Sequence, residues 1–234
     1  MTHRRQSGGE QPAGIVFVDI DGTLVPGTSS GSFLAHRLGH AAEVDQAEAR
    51  YAAGTLDNHE VCAIDARGWA GAQVAQVAAW LEDLPLIDGI DQTVAWCRSH
   101  DLAPVLASLA WDPVGAHLAR RFGFAGHCGP QLRTTVGTYT GEVAQTFDEH
   151  DKRDFALSVC HEWAVDPAHC VAIGDSRSDL PLFDLVGFSV ALNASPDARL
   201  EASATLDSGW LADVVPLIQS WITSSEAPTH DDQN

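Results

Sequence analysis

The chain has 234 residues, 45% of them apolar and 19% charged. That composition suits one large hydrophobic core, or a core with a smaller insert, and excludes a disordered chain. Thirteen basic against thirty-two acidic side chains leave a formal charge of −19, a field that repels nucleic acid and anionic membranes and makes neither an expected partner. No apolar run reaches the roughly 18 residues needed to cross a bilayer, and no apolar stretch follows the early arginines as in a secretory signal, so a cytoplasmic location is expected.

Residues 1–13 are polar and Gly-rich and are expected to be disordered, as is the tail 223–234. Ile15–Asp19 is a short β-branched run, the pattern of a buried parallel strand, and Leu102–Ala107, Cys170–Ile173 and Phe188–Ala191 repeat it. Helical periodicity covers 88–99, 112–122, 150–164, 178–186 and 210–222. This alternation implies a parallel sheet with crossover helices. Arg133–Val143 alternates Thr and β-branched residues around Gly137, the pattern of a hairpin. The stretch 27–87 differs, being rich in Ala, Gln, Glu and His without a strand-like run. Ser32–Leu38, Ala41–Ala53, Asn58–Ala70 and Gln73–Leu84 each have helical length. The expected organisation is a core of 14–26 and 88–222, with 27–87 as a helical insert.

Five scattered cysteines form no CxxC pair and read as reduced, buried thiols. No HExxH occurs among the eleven histidines, which argues against that zinc signature. Of the thirteen basic residues twelve are arginine, and the one lysine is Lys152. The strongest chemical signal is Asp19-Ile20-Asp21-Gly22-Thr23 at the end of the first strand. Open parallel sheets bind ligands at the carboxyl ends of their strands. Two aspartates two apart in a turn leaving a strand can aim at one point, one as nucleophile or metal ligand and the other as proton donor.

The run FVDIDGTLV resembles the first motif of the haloacid dehalogenase superfamily of phosphohydrolases. Three further motifs follow in order: Ser108 in VLASLAW, Lys152 in DKRDFAL, and Asp175 and Asp179 in GDSRSD. The resemblance covers about residues 15–206. It implies an α/β fold: a Rossmann-like three-layer parallel-sheet core with a small helical cap inserted after the first strand. It further implies Asp19 as nucleophile, Asp21 as general acid and base, and Ser108, Lys152, Thr23 and Gly22 around the phosphoryl group. Mg²⁺ would be held by Asp19, the main-chain carbonyl of Asp21 and Asp175, with Asp179 binding directly or in the outer shell and orienting Lys152. The gap from Asp19 to Ser108 is far longer than that from Ser108 to Lys152, which places the cap between the first two motifs, as in the phosphoserine phosphatase-like branch.

Three departures from that branch count against phosphoserine itself. Thr28 stands where the branch has a glutamate, Leu109-Ala110 replaces a glycine pair, and Ser178 replaces an asparagine. Thr28, Trp111 and Arg177 are candidates for the substrate pocket. The implied protein is a Mg²⁺-dependent phosphatase of a small phosphorylated metabolite, monomeric or homodimeric. Its rivals are a phosphomutase or other phosphotransferase of the superfamily, a receiver-like domain and a catalytically silent binding protein.

Overall fold

The structure, a computed structural model, describes residues 11–225; most of both expected disordered tails lies outside the described residues. Five parallel strands form the main sheet: β1 (Gly14–Val18), β2 (Leu102–Leu106), β5 (Val171–Gly174), β6 (Phe188–Leu192) and β7 (Ala204–Leu206). Their order is β2-β1-β5-β6-β7. β3 (Gln131–Thr135) and β4 (Thr138–Gln145) pair antiparallel as a separate hairpin.

β1 is central, and all five of its residues are buried. Its alternation divides them between two cores: Val16 and Val18 join one cluster, Ile15 and Phe17 the other. Burying each such side chain is worth roughly 1.5–3 kcal/mol. Helices α5 (Ile90–Ser99), α6 (Asp112–Phe122) and α10 (Val215–Ser225) supply Val94, Leu118 and Ile218 to the first cluster. Helices α7 (Glu149–Trp163), α8 (Leu180–Phe183) and α9 (Pro196–Glu201) supply Phe155, Leu182 and Ala198 to the second. The result is three layers, the expected α/β architecture. Pro104 fits inside β2 because that strand is an edge, paired in the sheet only with β1, where a missing N–H leaves no ladder bond unmade.

Four helices lie between β1 and α5: α1 (Ser30–Leu38), α2 (Ala41–Ala52), α3 (Asn58–Gly68) and α4 (Val74–Trp80). Asp57 starts α3 with a reciprocal capping box to Glu60, and Gly39 ends α1 in the left-handed conformation at φ 89°.

Some expectations shift. Asp19 and Ala107 fall just past their strands, so both end in loops. The helix expected at 178–186 is a 3₁₀ turn followed by the single turn of α8, since Pro181 at the second position of α8 limits the hydrogen bonding before it. α10 continues to Ser225, into the segment expected to be disordered. The hairpin, grouped with the core by sequence, is hydrogen-bonded to the helical insert instead. Gly71 and Val74 donate to the carbonyls of Tyr139 and Gly137 at 3.0 and 2.9 Å, and Tyr139 donates to Ala72 at 2.9 Å. The Tyr139 ring meets Trp69 edge-on at 5.0 Å.

Candidate active site

The site forms at the carboxyl ends of β1, β2 and β5. Asp19 follows β1 directly, and its N–H donates to Ile173 O of β5 at 2.9 Å. The chain then turns back, with Leu24 and Val25 both donating to Ile20 O and Gly22 donating to Val25 O. Gly22 has φ +86°, and a Cβ there would lie 2.1 Å from a carboxylate oxygen of Asp175. Both the left-handed backbone and the close approach of Asp175 require glycine. Its N–H is occupied within the turn, so its place in the site is steric. Thr23 is fully buried behind the turn, its hydroxyl 3.5 Å from Asp175 Oδ1.

Asp21 Oδ1 accepts a hydrogen bond of 2.6 Å from Ser30 N, at the first turn of α1. The helix start thus fixes the carboxyl group, while Ser29 caps the helix through Ser32 N. Ser108 lies just past β2, 1% exposed, and accepts a hydrogen bond from Ala110 N at 3.1 Å. Asp148 opens α7 with a capping box to Asp151, which sets the direction of the helix one residue before Lys152.

Lys152 is fully buried. Its Nζ donates to Asp19 Oδ1 at 2.8 Å and to Asp179 Oδ1 at 2.6 Å. The other oxygen of Asp179 accepts from Asp175 N and Ser176 N, both at 3.0 Å. Asp179 therefore both orients Lys152 and braces the loop carrying Asp175. A side chain on Gly174 would collide with it, a Cβ there lying 2.1 Å from the Asp179 carboxyl carbon.

Oxygen atoms of Asp19, Asp175 and Asp179 come within 4.8 Å of one another. Burial raises the Asp19 carboxyl to a pKa of about 7, outweighing the Lys152 ammonium, while Asp179 adds to the rise. Burial, then the charges of Asp19 and Asp179, pushes Asp175 to about 9. Burial also raises Asp21, against the pull of the Ser30 N–H. Burial alone would lower Lys152, but Asp179 and Asp19 outweigh it and keep the ammonium charged. With all four carboxyls ionised the cluster would hold more negative charge than one lysine balances, and its oxygen-only donors fit a hard divalent cation that would offset the excess.

A cavity of about 670 Å³ opens over these residues, with Asp19, Asp21, Ser108 and Asp175 on its floor and α1–α3 above. Thr28, Trp111 and Arg177 all line it. Two of them also join the insert to the core. Trp111 Nε1 donates to Asp65 Oδ2 at 2.6 Å; Asp65 Oδ1 is met by Trp69 Nε1 at 3.0 Å and His40 Nε2 at 2.6 Å. Arg177 donates to Tyr51 O at 2.8 Å and to Glu149 Oε1 at 3.1 Å, its guanidinium 4.6 Å from the centre of the Tyr51 ring. Sequence reasoning missed Asp45, Glu48, Tyr51, Asp65 and Glu149. None falls in a motif, and no local pattern singles them out.

A model of haloacid dehalogenase-like hydrolases matches residues 16–184, a span that holds all four motifs. The chain belongs to this family. Among similar proteins is a phosphoserine phosphatase of Halobacterium salinarum, 28% identical over 196 residues, covering 83% of this chain and 92% of the relative. Phosphoserine phosphatase SerB1 of Mycobacterium tuberculosis is 29% identical over 219 residues, covering 83% of this chain and 68% of its own. A solved phospho-aspartyl intermediate analogue of phosphoserine phosphatase superposes with a TM-score of 0.79 at 17% identity, covering 89% of this chain and 99% of that one, a likeness of fold. No described helix is long and apolar enough to cross a membrane.

Proposed function

We propose that this family member is a Mg²⁺-dependent phosphoric monoester hydrolase acting on a small phosphorylated metabolite through a phosphorylated Asp19. The observation that carries the reading is the fully buried Lys152 bridging Asp19 and Asp179 at the floor of the cavity. A buried ammonium is costly unless it is paired, and here it sits where phosphoryl oxygens need positive charge. Asp19, Asp175 and the main-chain carbonyl of Asp21 would hold the Mg²⁺, which when bound supplies charge neutralisation for the phosphate. Asp179 serves Lys152 and the loop.

In the first step an Asp19 oxygen attacks phosphorus and the P–O bond to the alcohol breaks. The leaving alkoxide takes the proton of Asp21. The raised pKa of Asp21 suits it to carry that proton, and the Ser30 N–H holds one oxygen still, leaving the other toward the cavity. In the second step Asp21, now ionised, takes a proton from water as the water oxygen attacks phosphorus. The bond to Asp19 breaks, inorganic phosphate leaves and both carboxyl groups return to their starting states. Ser108 and Lys152 hold the phosphoryl oxygens in both steps. Residues 27–87 and the β3–β4 hairpin act as the cap that excludes water, over a core of 14–26 and the rest of 88–222. The homologous phosphoserine phosphatases support this reading.

The test is phosphate release from a panel of phosphomonoesters that includes p-nitrophenyl phosphate. Release is expected with Mg²⁺, none in excess chelator, and poor substitution by Zn²⁺. Full turnover in excess chelator would refute the metal assignment.

A further inference from the structure

The cavity wall opposite the phosphate floor is unusual in its charge. α2 places Asp45 and Glu48 three residues apart, on one face, and both line the cavity. Each is held by a serine at the start of α1: Ser29 Oγ donates to Glu48 Oε1 and Ser32 Oγ to Asp45 Oδ1, both at 2.6 Å. Neither carboxylate has a cationic partner among the described residues, and the second oxygen of each has no donor. Asp65 on the same wall is different, because its oxygens are already occupied by two indoles and an imidazole.

Arg177 is the one Lys or Arg side chain among the described residues that line the cavity. Each of its terminal nitrogens makes one hydrogen bond, to Tyr51 O and to Glu149 Oε1, which uses two of its five N–H groups. A carboxylate on the substrate would have to share this arginine with Glu149, which already offsets its charge. Ser30, on the same wall and 1% exposed, carries a hydroxyl that has no hydrogen-bond partner among the described residues. The wall thus offers acceptors for a positive group and one unengaged hydroxyl.

We propose that the alcohol half of the substrate carries a positive charge and no carboxylate. The substrate class is the phosphate monoester of an amino alcohol or a quaternary-ammonium alcohol, its cation seated against Glu48 and Asp45. This deepens the phosphatase reading and rests on it. A cation at that place relieves the repulsion between two like charges on one helix face. It also lowers the net negative charge that must enter a strongly acidic protein, whereas an added carboxylate raises it. Burial raises the Glu48 carboxyl to about 7, with Asp21, Asp65 and Asp45 adding to the rise, and an adjacent cation would oppose that shift. A cavity of about 670 Å³ accommodates such a small ester.

The experiment uses the full chain with Mg²⁺ and four esters: O-phosphoethanolamine, phosphocholine, glycerol 3-phosphate and O-phosphoserine. The expected result is a kcat/KM for the first two about tenfold or more above the other two. Glu48→Gln, and separately the more exposed Asp45→Asn, should compress the ratio between phosphocholine and glycerol 3-phosphate, mainly through KM. Comparable rates for all four esters, or a ratio that survives both substitutions, would overturn the proposal. Hydrolysis of p-nitrophenyl phosphate with none of the four would also overturn it while leaving the phosphatase reading intact. If no ester releases phosphate, the phosphatase reading falls. Calorimetric binding of the same four esters then decides the charge preference, with the cationic pair expected to bind more tightly and equal affinities overturning it.

Discussion

The floor and the roof of the cavity are built on different principles. On the floor the polar groups that matter sit at strand ends and a helix start, are buried or half-buried, and brace one another: Lys152 on Asp19 and Asp179, Asp179 on two backbone N–H groups, Asp21 on Ser30 N. On the roof, Asp45 and Glu48 stand partly free on a helix, each with an oxygen that has no donor among the described residues. A braced floor keeps reacting groups aligned before any ligand arrives, which favours rate. A roof with unsatisfied acceptors leaves something for the ligand to complete, which favours discrimination.

The largest effect that would test this division is at the floor. Asp19→Asn should cut turnover by roughly 10⁵-fold or more in steady-state phosphate release, because nothing else is aligned to attack. Circular dichroism should show the fold retained; substantial residual turnover would refute the assignment of Asp19. Asp21→Asn should cost less, about 10²–10⁴-fold on esters with poor leaving groups. With p-nitrophenyl phosphate, whose leaving group needs little protonation, rapid mixing should show a burst of nitrophenol followed by a slow phase. Absence of the burst would move water activation to another group.

Arg177→Ala addresses the join between roof and floor. It removes a partly exposed pair and a stacking contact with Tyr51. KM is expected to rise on the order of five- to tenfold with a smaller change in kcat, and amide exchange in α2 should quicken. Unchanged exchange in α2 would show that the contact does not hold the roof down.

The smallest effect is in stability. Glu48 binds its proton more tightly in the folded chain, at about 7, than at the ordinary 4.5. Its contribution is therefore fully present below about pH 4.5 and lost as pH rises through about 7. Metal-free Tm should fall between about pH 5 and pH 8, and Glu48→Gln should fall less, by roughly 1–3 °C. Parallel curves for the two proteins would contradict the burial of that carboxyl.

Sequence alone carried most of the floor and little of the roof. Asp19, Asp21, Ser108, Lys152, Asp175 and Asp179 each sit in a short run whose pattern is local: an apolar strand, then a turn, or a helix start. The core strands were legible for the same reason, being β-branched and buried on both faces. β7 was not, since its three residues are half-buried at best and lie at a sheet edge. Asp65 looked like any polar residue of α3, because the indole of Trp111 that identifies it lies 46 positions away. The hairpin was recognised as a hairpin but placed with the core, since its pairing with residues 71–74 leaves no periodic trace. Arg177 and Trp111 were singled out as pocket residues; their reach to Tyr51 and Asp65 is a property of packing, not of spacing.

Three of the attachments between roof and floor differ in their access to water. Asp65 and Asn58 are buried, Asn58 donating to Phe147 O at 2.7 Å, whereas the Arg177 side chain is 34% exposed. Water replaces the partners of an exposed guanidinium at small cost, but not those of a buried carboxylate. The roof should consequently peel rather than lift, parting first at Tyr51 and last at Trp111. Should the roof part in that order, ligand would enter on the Arg177 side, with the tryptophan side as the fulcrum that keeps the acceptors in register.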